Sequence, residues 1–206
     1  MSAEYKDYGF RNEAPSHMHK HFMPEVLNFL PKGSGLRILD IGCGNGYLCG
    51  RLLELGHEVV GIDLSEQGVA IARKSYPQAR FEVLGAITDV LETLGEKPFD
   101  VVVSTEVIEH LYAPRSFVDG CLGALRPGGR LILTTPYHGY LKNLVLSLTN
   151  HWDRHANPLW DGGHIKLWSR ATLTSLLLER GFHGAQFKGA GRLPWMWMTM
   201  VMCADK

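Results

Sequence analysis

Short, strongly apolar runs alternate along this chain with segments whose apolar residues recur every three or four positions. The pattern predicts five strands: "RILDI" (37–41), "HEVVGID" (57–63), "ARFEVL" (79–84), "FDVVVS" (99–104) and "RLILTTP" (130–136). Several of these runs lack the polar alternation of a strand that has one face in water. They are typical of a parallel sheet that is buried on both faces.

The segments between the strands carry the spacing of amphipathic helices. They read "YLCGRLLELG", "SEQGVAIARKSY" and "PRSFVDGCLGALRPGG", and each ends near glycine or proline. Towards the end of the chain, "TLTSLLLERGF" predicts a further helix, followed by the strands "HGAQFKG" and "WMWMTMVMCAD". The connection between these two strands is too short for a crossover helix, so we predict an antiparallel hairpin next to a helix-covered parallel sheet.

Length and charge limit the kinds of protein this chain can be. A chain of 206 residues is long enough for one substantial core and too short for two comfortable domains, so we predict a single domain over residues 1–206. Lys and Arg together number 21, as do Asp and Glu. This balance removes the broad cationic field that favours nucleic acid or an anionic membrane surface as a partner.

The sequence also bears on the compartment. The first twenty residues contain no apolar stretch behind a basic start, and the longest apolar run, "WMWMTMVMCA", is shorter than the roughly 20 residues of a spanning helix. Four cysteines, Cys43, Cys49, Cys121 and Cys203, show neither C-x-x-C spacing nor the density of a disulfide scaffold. We therefore expect a cytoplasmic protein with no membrane span.

A glycine-rich loop follows the first predicted strand. In "ILDIGCGNGYL" the residues Gly42, Gly44 and Gly46 are spaced G-x-G-x-G, and glycine allows positive φ and close approach of the backbone to a ligand. Asp40 precedes the loop, and Asp63 ends the second strand, where a carboxylate can accept both hydroxyls of a ribose. The simpler alternative is a tight turn without a ligand.

On these residues the chain resembles the class I S-adenosylmethionine-dependent methyltransferases. The likeness is carried by "LDIGCGNG", the acid in "GIDLS", the fourth strand leading into "EVIEHL", the segment "LRPGGRLILTTP" and the final hairpin, and it spans about residues 36–206. It implies an α/β fold with a Rossmann-like, seven-stranded, mostly parallel sheet, helices on both faces and an antiparallel C-terminal hairpin. It also implies S-adenosylmethionine as donor and S-adenosylhomocysteine as product.

The resemblance assigns residues to the donor site. It implies that Asp40, Gly42 and Gly44 line the methionine and ribose side and that Asp63 holds the ribose. Ala86 and Ile87 follow the third strand, where the adenine is contacted. The full set of implied donor contacts is Asp40, Gly42, Cys43, Gly44, Asp63, Leu64, Ala86, Ile87 and Thr105.

The stretch "STEVIEHL" places two acids and a histidine directly after the fourth strand. If residues 105–111 form a helical turn, Glu106, Glu109 and His110 share one face, which looks into the donor cleft. The simpler interpretation is that acids near a helix N-terminus complement its dipole. Two carboxylates and an imidazole also suit a hard metal ion such as Mg²⁺, Mn²⁺ or Fe²⁺, and they could take Zn²⁺.

A second resemblance supports the metal interpretation. The stretch is similar to the Glu-x-x-Glu-His element that binds a divalent ion in ubiquinone-pathway O-methyltransferases and in small-RNA 2′-O-methyltransferases; in the RNA enzymes a later histidine completes the set, and His164 of "DGGHIKLWS" is placed to do so. The predicted metal ligands are thus Glu106, Glu109, His110 and His164. The predicted catalytic residues are His110, His164 and Glu106, with His110 as a metal-free general base in the alternative.

Two further segments flank the predicted site. Residues 1–35 are a predicted helical cover over the donor pocket, and residues 137–168 are a predicted insertion on the acceptor side, long for a connection in an α/β unit. The insertion contains a predicted amphipathic helix whose apolar face is Leu141, Leu144, Val145 and Leu148. It is also rich in tryptophan, which suits an apolar or ring-bearing acceptor but equally well packs an insertion onto a core.

Taken together, the sequence predicts an S-adenosylmethionine-dependent methyltransferase for a small-molecule acceptor, most readily at oxygen, with assistance by a divalent metal left open. The nearest type is the ubiquinone-pathway O-methyltransferase. Alternatives are metal-independent N- or C-methylation, RNA 2′-O-methylation, which the charge balance disfavours, and a non-catalytic protein that binds the donor. A nicotinamide-dependent oxidoreductase would need G-x-G-x-x-G, which the loop lacks.

Overall fold

A seven-stranded sheet forms the centre of the molecule. The computed structural model describes residues 9–86, 89–160 and 163–206. The strands run in the order β3-β2-β1-β4-β5-β7-β6; β1 to β5 are parallel, and β7 is antiparallel to both of its neighbours. This confirms the predicted fold class. The strands are β1 Arg37–Ile41, β2 Glu58–Asp63, β3 Arg80–Val83, β4 Phe99–Thr105, β5 Leu125–Pro136, β6 His183–Ala190 and β7 Thr199–Asp205.

Helices cover both faces of the sheet. Neighbouring residues of β1 belong to different apolar clusters: Leu39 packs with α4, α5 and α8, and Ile38 packs with α1, α2 and α3. Both faces of a parallel strand are therefore buried, as its continuous apolar sequence predicts. The helices are α1 His19–Phe29, α2 Tyr47–Glu54, α3 Glu66–Ser75, α4 Val90–Leu94, α5 Pro114–Ala124, α6 Tyr140–Leu148, α7 Trp152–Ala156 and α8 Arg170–Glu179.

Several element boundaries differ from the sequence prediction; the last strand, for example, begins at Thr199 and not at Trp195. Strand β5 begins at Leu125, so the segment "LRPGG", predicted as the end of a helix, lies in a strand. The pairing of this strand with β4 shifts register between Phe99 and Val101 of β4. Pro127 cannot donate to the ladder and Gly128 has φ +71°, which is the chemistry of an irregular strand entry. Among the described residues of the predicted N-terminal cover, only His19–Phe29 is helical.

In the described part of the chain, no helix combines the length and the apolar character that a membrane crossing needs. Cys43, Cys49, Cys121 and Cys203 are all buried, and all are free thiols.

Candidate active site

The glycine loop joins β1 to α2 at the carboxyl edge of the sheet. Gly42, Gly44 and Gly46 have φ of +84°, +52° and +79°, values that glycine adopts without steric cost. The Gly42 and Cys43 amides donate to the Ile62 carbonyl at 2.7 and 3.0 Å. A Cβ at position 42 would collide with the side chain of Val107. The loop therefore requires glycine both for its conformation and for its contacts.

Asp63 ties the end of β2 to this loop. One carboxylate oxygen accepts from the Gly44 amide at 2.8 Å, and the other accepts from the Ser65 amide at 2.7 Å. Ser65 in turn caps α3 by accepting from the Gly68 amide. The neighbouring Leu64 is 49% exposed. Asp63 is thus held at the edge of the glycine loop, at the carboxyl end of β2.

Asp40 lies beneath the loop and is almost completely buried. Its Oδ2 accepts from the Cys49 thiol at 3.2 Å, and its Oδ1 has no partner among the described residues. Burial raises the pKa of Asp40 to about 7, and the negative charge of Asp63 adds to the rise. Asp40 is therefore poised to gain or lose a proton near neutral pH.

The segment before α1 crosses over the glycine loop. Both amide hydrogens of Asn45 are used, donating to the carbonyls of Asn12 at 2.8 Å and Ala14 at 2.9 Å. The ring of Phe10 lies over the loop, so that a Cβ on Gly44 would be 2.5 Å from its Cζ. Sequence reasoning did not single out Phe10 or Asn45, although Asn45 stands between two of the loop glycines.

The residues after β4 do not form the helical turn predicted for 105–111. Glu106 has φ +55°, a conformation that non-glycine residues seldom adopt, and the helical part is a single 3₁₀ turn over Ile108–His110. The Glu106 carboxylate accepts from the Thr134 and Thr199 hydroxyls at 2.8 and 2.7 Å. Burial raises the pKa of Glu106, and these two hydroxyls counteract the rise.

Glu109 points into the interior below the 3₁₀ turn. It is 1% exposed; its Oε2 accepts from the Thr135 hydroxyl at 3.0 Å, and its Oε1 has no partner among the described residues. Burial raises the pKa of Glu109 well above its usual range, and the negative charge of Glu106 raises it further. A buried carboxylate with an unused oxygen favours a proton or a cation at that oxygen.

His110 and His164 complete a group with Glu109. The His110 Nδ1 lies 3.2 Å from the Gly163 carbonyl, which can only accept, so Nδ1 carries the proton and, in the neutral ring, Nε2 carries the lone pair. That Nε2 is 3.9 Å from Glu109 Oε1, and the two imidazole rings are 5.0 Å apart. One ligand atom from each of Glu109, His110 and His164 lies within 4.8 Å of the others.

The electrostatics around His164 favour its neutral form. Burial lowers the pKa of His164 to about 4, and the nearby His110, His155 and Lys142 lower it as well. Trp160 packs its ring 5.5 Å from that of His110. At neutral pH His164 is therefore uncharged, and one of its ring nitrogens offers a lone pair to a metal ion.

The structure separates the remaining predicted residues. The Glu106 carboxylate is engaged by the threonines and is not part of the Glu109, His110 and His164 group. Thr105 ends β4 half-buried beside Thr134, Ala86 packs against the core, and Ile87 lies outside the described residues. Sequence reasoning missed Thr134, Thr135 and Thr199, although the first two belong to the conspicuous "TTP" at the end of β5.

The predicted helix in the insertion exists, but its burial is reversed. In α6 the leucines are outside, with Leu141 43% and Leu148 77% exposed, whereas Lys142 is 3% exposed. The Lys142 ammonium donates to the carbonyls of Tyr137 at 2.7 Å and Met198 at 3.4 Å. Carbonyl groups after β5 and before β7 thus accept hydrogen bonds from the lysine and keep its side chain buried.

Comparisons with known proteins identify the family. A family model described as a methyltransferase domain matches residues 15–186. Ubiquinone biosynthesis O-methyltransferase of Bradyrhizobium sp. strain ORS 278 is 37% identical over 138 residues, which are 61% of this chain and 54% of that protein. The protein of that name from Xylella fastidiosa strain 9a5c is 38% identical over 117 residues, 54% of this chain and 48% of its own. The chain spans about half the length of these curated relatives.

Solved structures show the same fold. An S-adenosylmethionine-dependent methyltransferase from Mesorhizobium loti superposes with a TM-score of 0.70 at 21% identity, covering 90% of this chain and 97% of that one. Magnesium protoporphyrin IX methyltransferase from Synechocystis PCC 6803, with bound S-adenosylhomocysteine, gives 0.64 at 21% identity and covers 84% and 75%. The family model over residues 15–186 shows that the chain belongs to the methyltransferase domain family, as its sequence predicts.

Proposed function

We propose that this protein transfers the methyl group of S-adenosylmethionine to a hydroxyl group of a small-molecule acceptor and that a divalent metal ion assists the transfer. The names of the relatives at 37–38% identity support oxygen as the accepting atom. The balanced charge of the chain, with 21 basic and 21 acidic residues, favours a small molecule over nucleic acid.

The donor is assigned to the carboxyl edge of β1 and β2. When bound, S-adenosylmethionine supplies an electrophilic methyl group on a sulfonium. In the proposal the Gly42 to Gly46 loop receives its methionine part, Asp63 accepts its ribose hydroxyls, and Ala86 lies on the adenine side. The N-terminal segment, held by Asn45, excludes water from this pocket.

The observation that carries the metal proposal is the unpartnered buried oxygen of Glu109 beside two imidazoles. One carboxylate oxygen and two ring nitrogens suit Zn²⁺, Fe²⁺ or Mn²⁺, and Mg²⁺ if water or acceptor oxygens are added. The residues of the site therefore fit such an ion, with Glu109, His110 and His164 as its ligands. A divalent ion there supplies a lower pKa for an acceptor hydroxyl.

The protein's own groups complete the proposed chemistry. Methyl transfer needs an acceptor oxygen aligned with the methyl carbon and needs a group that takes the hydroxyl proton. In the metal-free form His110 can receive that proton, because the lone pair of its neutral ring lies on Nε2. His164, whose pKa is lowered to about 4, is the weaker base. Glu106, fixed by Thr134 and Thr199, gives the cleft an oriented negative group near this point.

The test is a calorimetric titration of chelator-treated protein, first with S-adenosylhomocysteine and then with Mg²⁺, Mn²⁺ and Zn²⁺. We expect donor-product binding and one metal ion per chain. Glu109→Gln keeps the size of the side chain but weakens metal binding by at least about tenfold, because an anionic ligand is lost. Glu92→Gln, an exposed position on α4, is the matched control and should change neither titration.

The outcomes separate the parts of the proposal. Binding of S-adenosylhomocysteine without a stoichiometric metal would overturn metal assistance and leave methyl transfer by a histidine base. Metal binding that survives Glu109→Gln would place the ion elsewhere. Absence of S-adenosylhomocysteine binding would contradict the donor assignment itself.

A further inference from the structure

A group of basic side chains lies beside the Glu109, His110 and His164 group and has no role in the proposed chemistry. It consists of His138 after β5, Lys142 of α6, His155 of α7 and Arg192 before β7, and we call it the basic subsite. The rings of His138 and His155 lie 5.2 Å apart, and the positive charges of Lys142 and Arg192 act on His155. Such a concentration of positive charge invites an anion.

Lys142 is the buried centre of the basic subsite. It is 3% exposed, and its ammonium has three N–H donors but only two acceptors in the described residues, the Tyr137 and Met198 carbonyls. No carboxylate forms an ion pair with it there, although the charge of Glu106 raises its pKa from a longer distance. One donor of a buried ammonium is thus left for a further acceptor, and an anionic acceptor would lower the cost of burying the charge.

The two histidines each leave a ring nitrogen unused. His138 is 4% exposed, and the Nε2 atoms of His138 and His155 are buried without a partner in the described residues. Their rings are 5.2 Å apart, so the two unused nitrogens belong to neighbouring side chains. Asn143 can present either its amide oxygen or its amide nitrogen to His138 Nδ1, which lies 3.3 Å away, so His138 Nε2 can be an N–H donor.

The charges around His138 and His155 favour an anion there. Burial lowers the pKa of His138 to about 4 and also lowers the pKa of His155, and in both cases the positive charge of Lys142 is the second cause. Arg192 acts on Lys142 and His155 in the same direction. An anion beside these groups would offset that positive charge.

The basic subsite is continuous with the acceptor side of the cleft. The His138 amide donates to the Trp168 carbonyl at 3.0 Å, four residues beyond His164, and the ring of His164 is 5.0 Å from that of His110. Lys142 and Glu106 likewise act on each other's pKa, which places them within electrostatic range. A small molecule with its hydroxyl at the Glu109, His110 and His164 group can therefore reach the basic subsite with another part.

We propose that the basic subsite binds a carboxylate of the acceptor, so that the substrate class is a small hydroxy or phenolic acid rather than a neutral hydroxyl compound. Lys142, His138 and His155 supply the donors, and Arg192, which is exposed, supplies charge at the entrance. This assignment rests on the proposed methyl transfer for its link to the hydroxyl but not for the binding of the carboxylate.

The test compares two probes that differ only in the charged group. Protein loaded with S-adenosylhomocysteine is titrated with 3,4-dihydroxybenzoate and with catechol, with the same metal ion at the same concentration in both titrations. We expect the benzoate to bind at least about tenfold more tightly, which is roughly what one charge-assisted contact provides. Lys142→Met and, separately, Arg192→Asn should each lower this preference at least about threefold while catechol affinity changes less than about twofold.

Two variants are needed because Lys142 is buried and its replacement could disturb folding. Arg192 has φ +60° and is exposed, and asparagine tolerates that conformation, so Arg192→Asn should fold normally. Lys74→Met, an exposed lysine of α3, removes one positive charge elsewhere and should keep the full preference.

Each result decides something. Equal affinities for the two probes, no binding of 3,4-dihydroxybenzoate at millimolar concentration, or a preference that survives in both variants overturns the basic subsite. If catechol is methylated and 3,4-dihydroxybenzoate binds no more tightly than catechol, the methyl-transfer proposal stands and the basic subsite is overturned. A charge-dependent preference with no methylation of either probe leaves the basic subsite standing and removes hydroxyl methylation.

Discussion

Gly42 is a position where adding a single methyl group should weaken both S-adenosylhomocysteine binding and the stability of the fold. It has φ +84°, and a Cβ there would collide with Val107 at the edge of the donor loop. We expect Gly42→Ala to weaken S-adenosylhomocysteine binding at least about tenfold, since the loop must move to relieve the contact, and to cost roughly 1–2 kcal/mol of stability from the left-handed conformation. Calorimetry and thermal unfolding measure the two effects.

Gly95 is the matched control for this change. It has φ +65°, but nothing lies within 4 Å of a Cβ built there. Gly95→Ala should show the conformational cost in thermal unfolding and leave the binding of S-adenosylhomocysteine unchanged. Equal binding in the two variants would contradict the role assigned to the Gly42 contact.

Asp40 should make stability fall with rising pH. Its pKa is raised by burial from 3.8 to about 7, so between these values the folded protein binds more protons than the unfolded chain. Its contribution is complete below the unfolded pKa and is lost as the pH rises through 7. We expect the free energy of unfolding of the wild type, relative to Asp40→Asn, to fall by at most about 4 kcal/mol, at about 1.4 kcal/mol per pKa unit.

Urea unfolding of the wild type and of Asp40→Asn at several pH values from about 4 to about 8 measures this difference. The comparison with Asp40→Asn is needed because other groups titrate in the same range. Asp153→Asn, at an exposed position of α7, is the control and should follow the wild type throughout. A parallel pH dependence of the wild type and Asp40→Asn would show that Asp40 ionises at its ordinary pKa.

At the level of elements, helix α8 should depend on its first turn for stability but not for function. The Ser169 hydroxyl accepts from the Thr172 amide at 3.2 Å, and the Thr172 hydroxyl accepts from the Ser169 amide at 3.0 Å, which is a capping box. We expect Ser169→Ala to cost about 1 kcal/mol in urea unfolding with unchanged S-adenosylhomocysteine affinity. Ser175→Ala, exposed in the same helix, should cost little.

The sheet was predictable because its strands are buried on both faces. A run such as "FDVVVS" lacks the alternation of polar and apolar residues that a strand with one face in water would show. The structure places this strand, Phe99–Thr105, in the centre of the sheet. Amphipathic spacing was less reliable at the periphery. Helix α6 repeats leucine at helical spacing, yet Lys142 turns inward because the carbonyls of Tyr137 and Met198 receive it. Sequence spacing alone carries no information about such long-range acceptors.

The candidate site was predicted in its residue types but not in its geometry. "EVIEHL" points to acids and a histidine after β4, and Glu109 and His110 do meet His164, 54 residues beyond His110 in the chain. The separation of Glu106 from this group could not be foreseen, because it follows from φ +55° at Glu106 and from hydroxyls of Thr134 and Thr199 on two other strands. Local helical geometry is overridden here by contacts distant in sequence.

At the scale of the whole molecule, Asn45 links the N-terminal segment to the glycine loop. Both of its amide hydrogens donate to carbonyls of residues 12 and 14, at 2.8 and 2.9 Å. We expect Asn45→Ala to release this segment and to speed dissociation of S-adenosylhomocysteine by about tenfold, since each lost hydrogen bond is worth roughly 1 kcal/mol. Stopped-flow competition or surface plasmon resonance measures the rate.

Asn28→Ala, at an exposed position of α1, provides the comparison for this variant. Its dissociation rate should equal that of the wild type. An Asn45→Ala protein that releases S-adenosylhomocysteine at the wild-type rate would show that the N-terminal segment does not retain the ligand. Slower release would mean that the segment hinders binding rather than enclosing the donor.

The hydroxyl of Thr199 on the Glu106 carboxylate has a consequence for biosynthesis. Glu106 follows β4, whereas Thr199 begins β7, which inserts between β5 and β6. During translation the glycine loop and β1 to β5 emerge early, but Glu106 cannot reach its final surroundings until Thr199 has left the ribosome and β7 has entered the sheet. The Glu106 carboxylate therefore takes up its final orientation only after β7 has been synthesised, well after the strand that it follows.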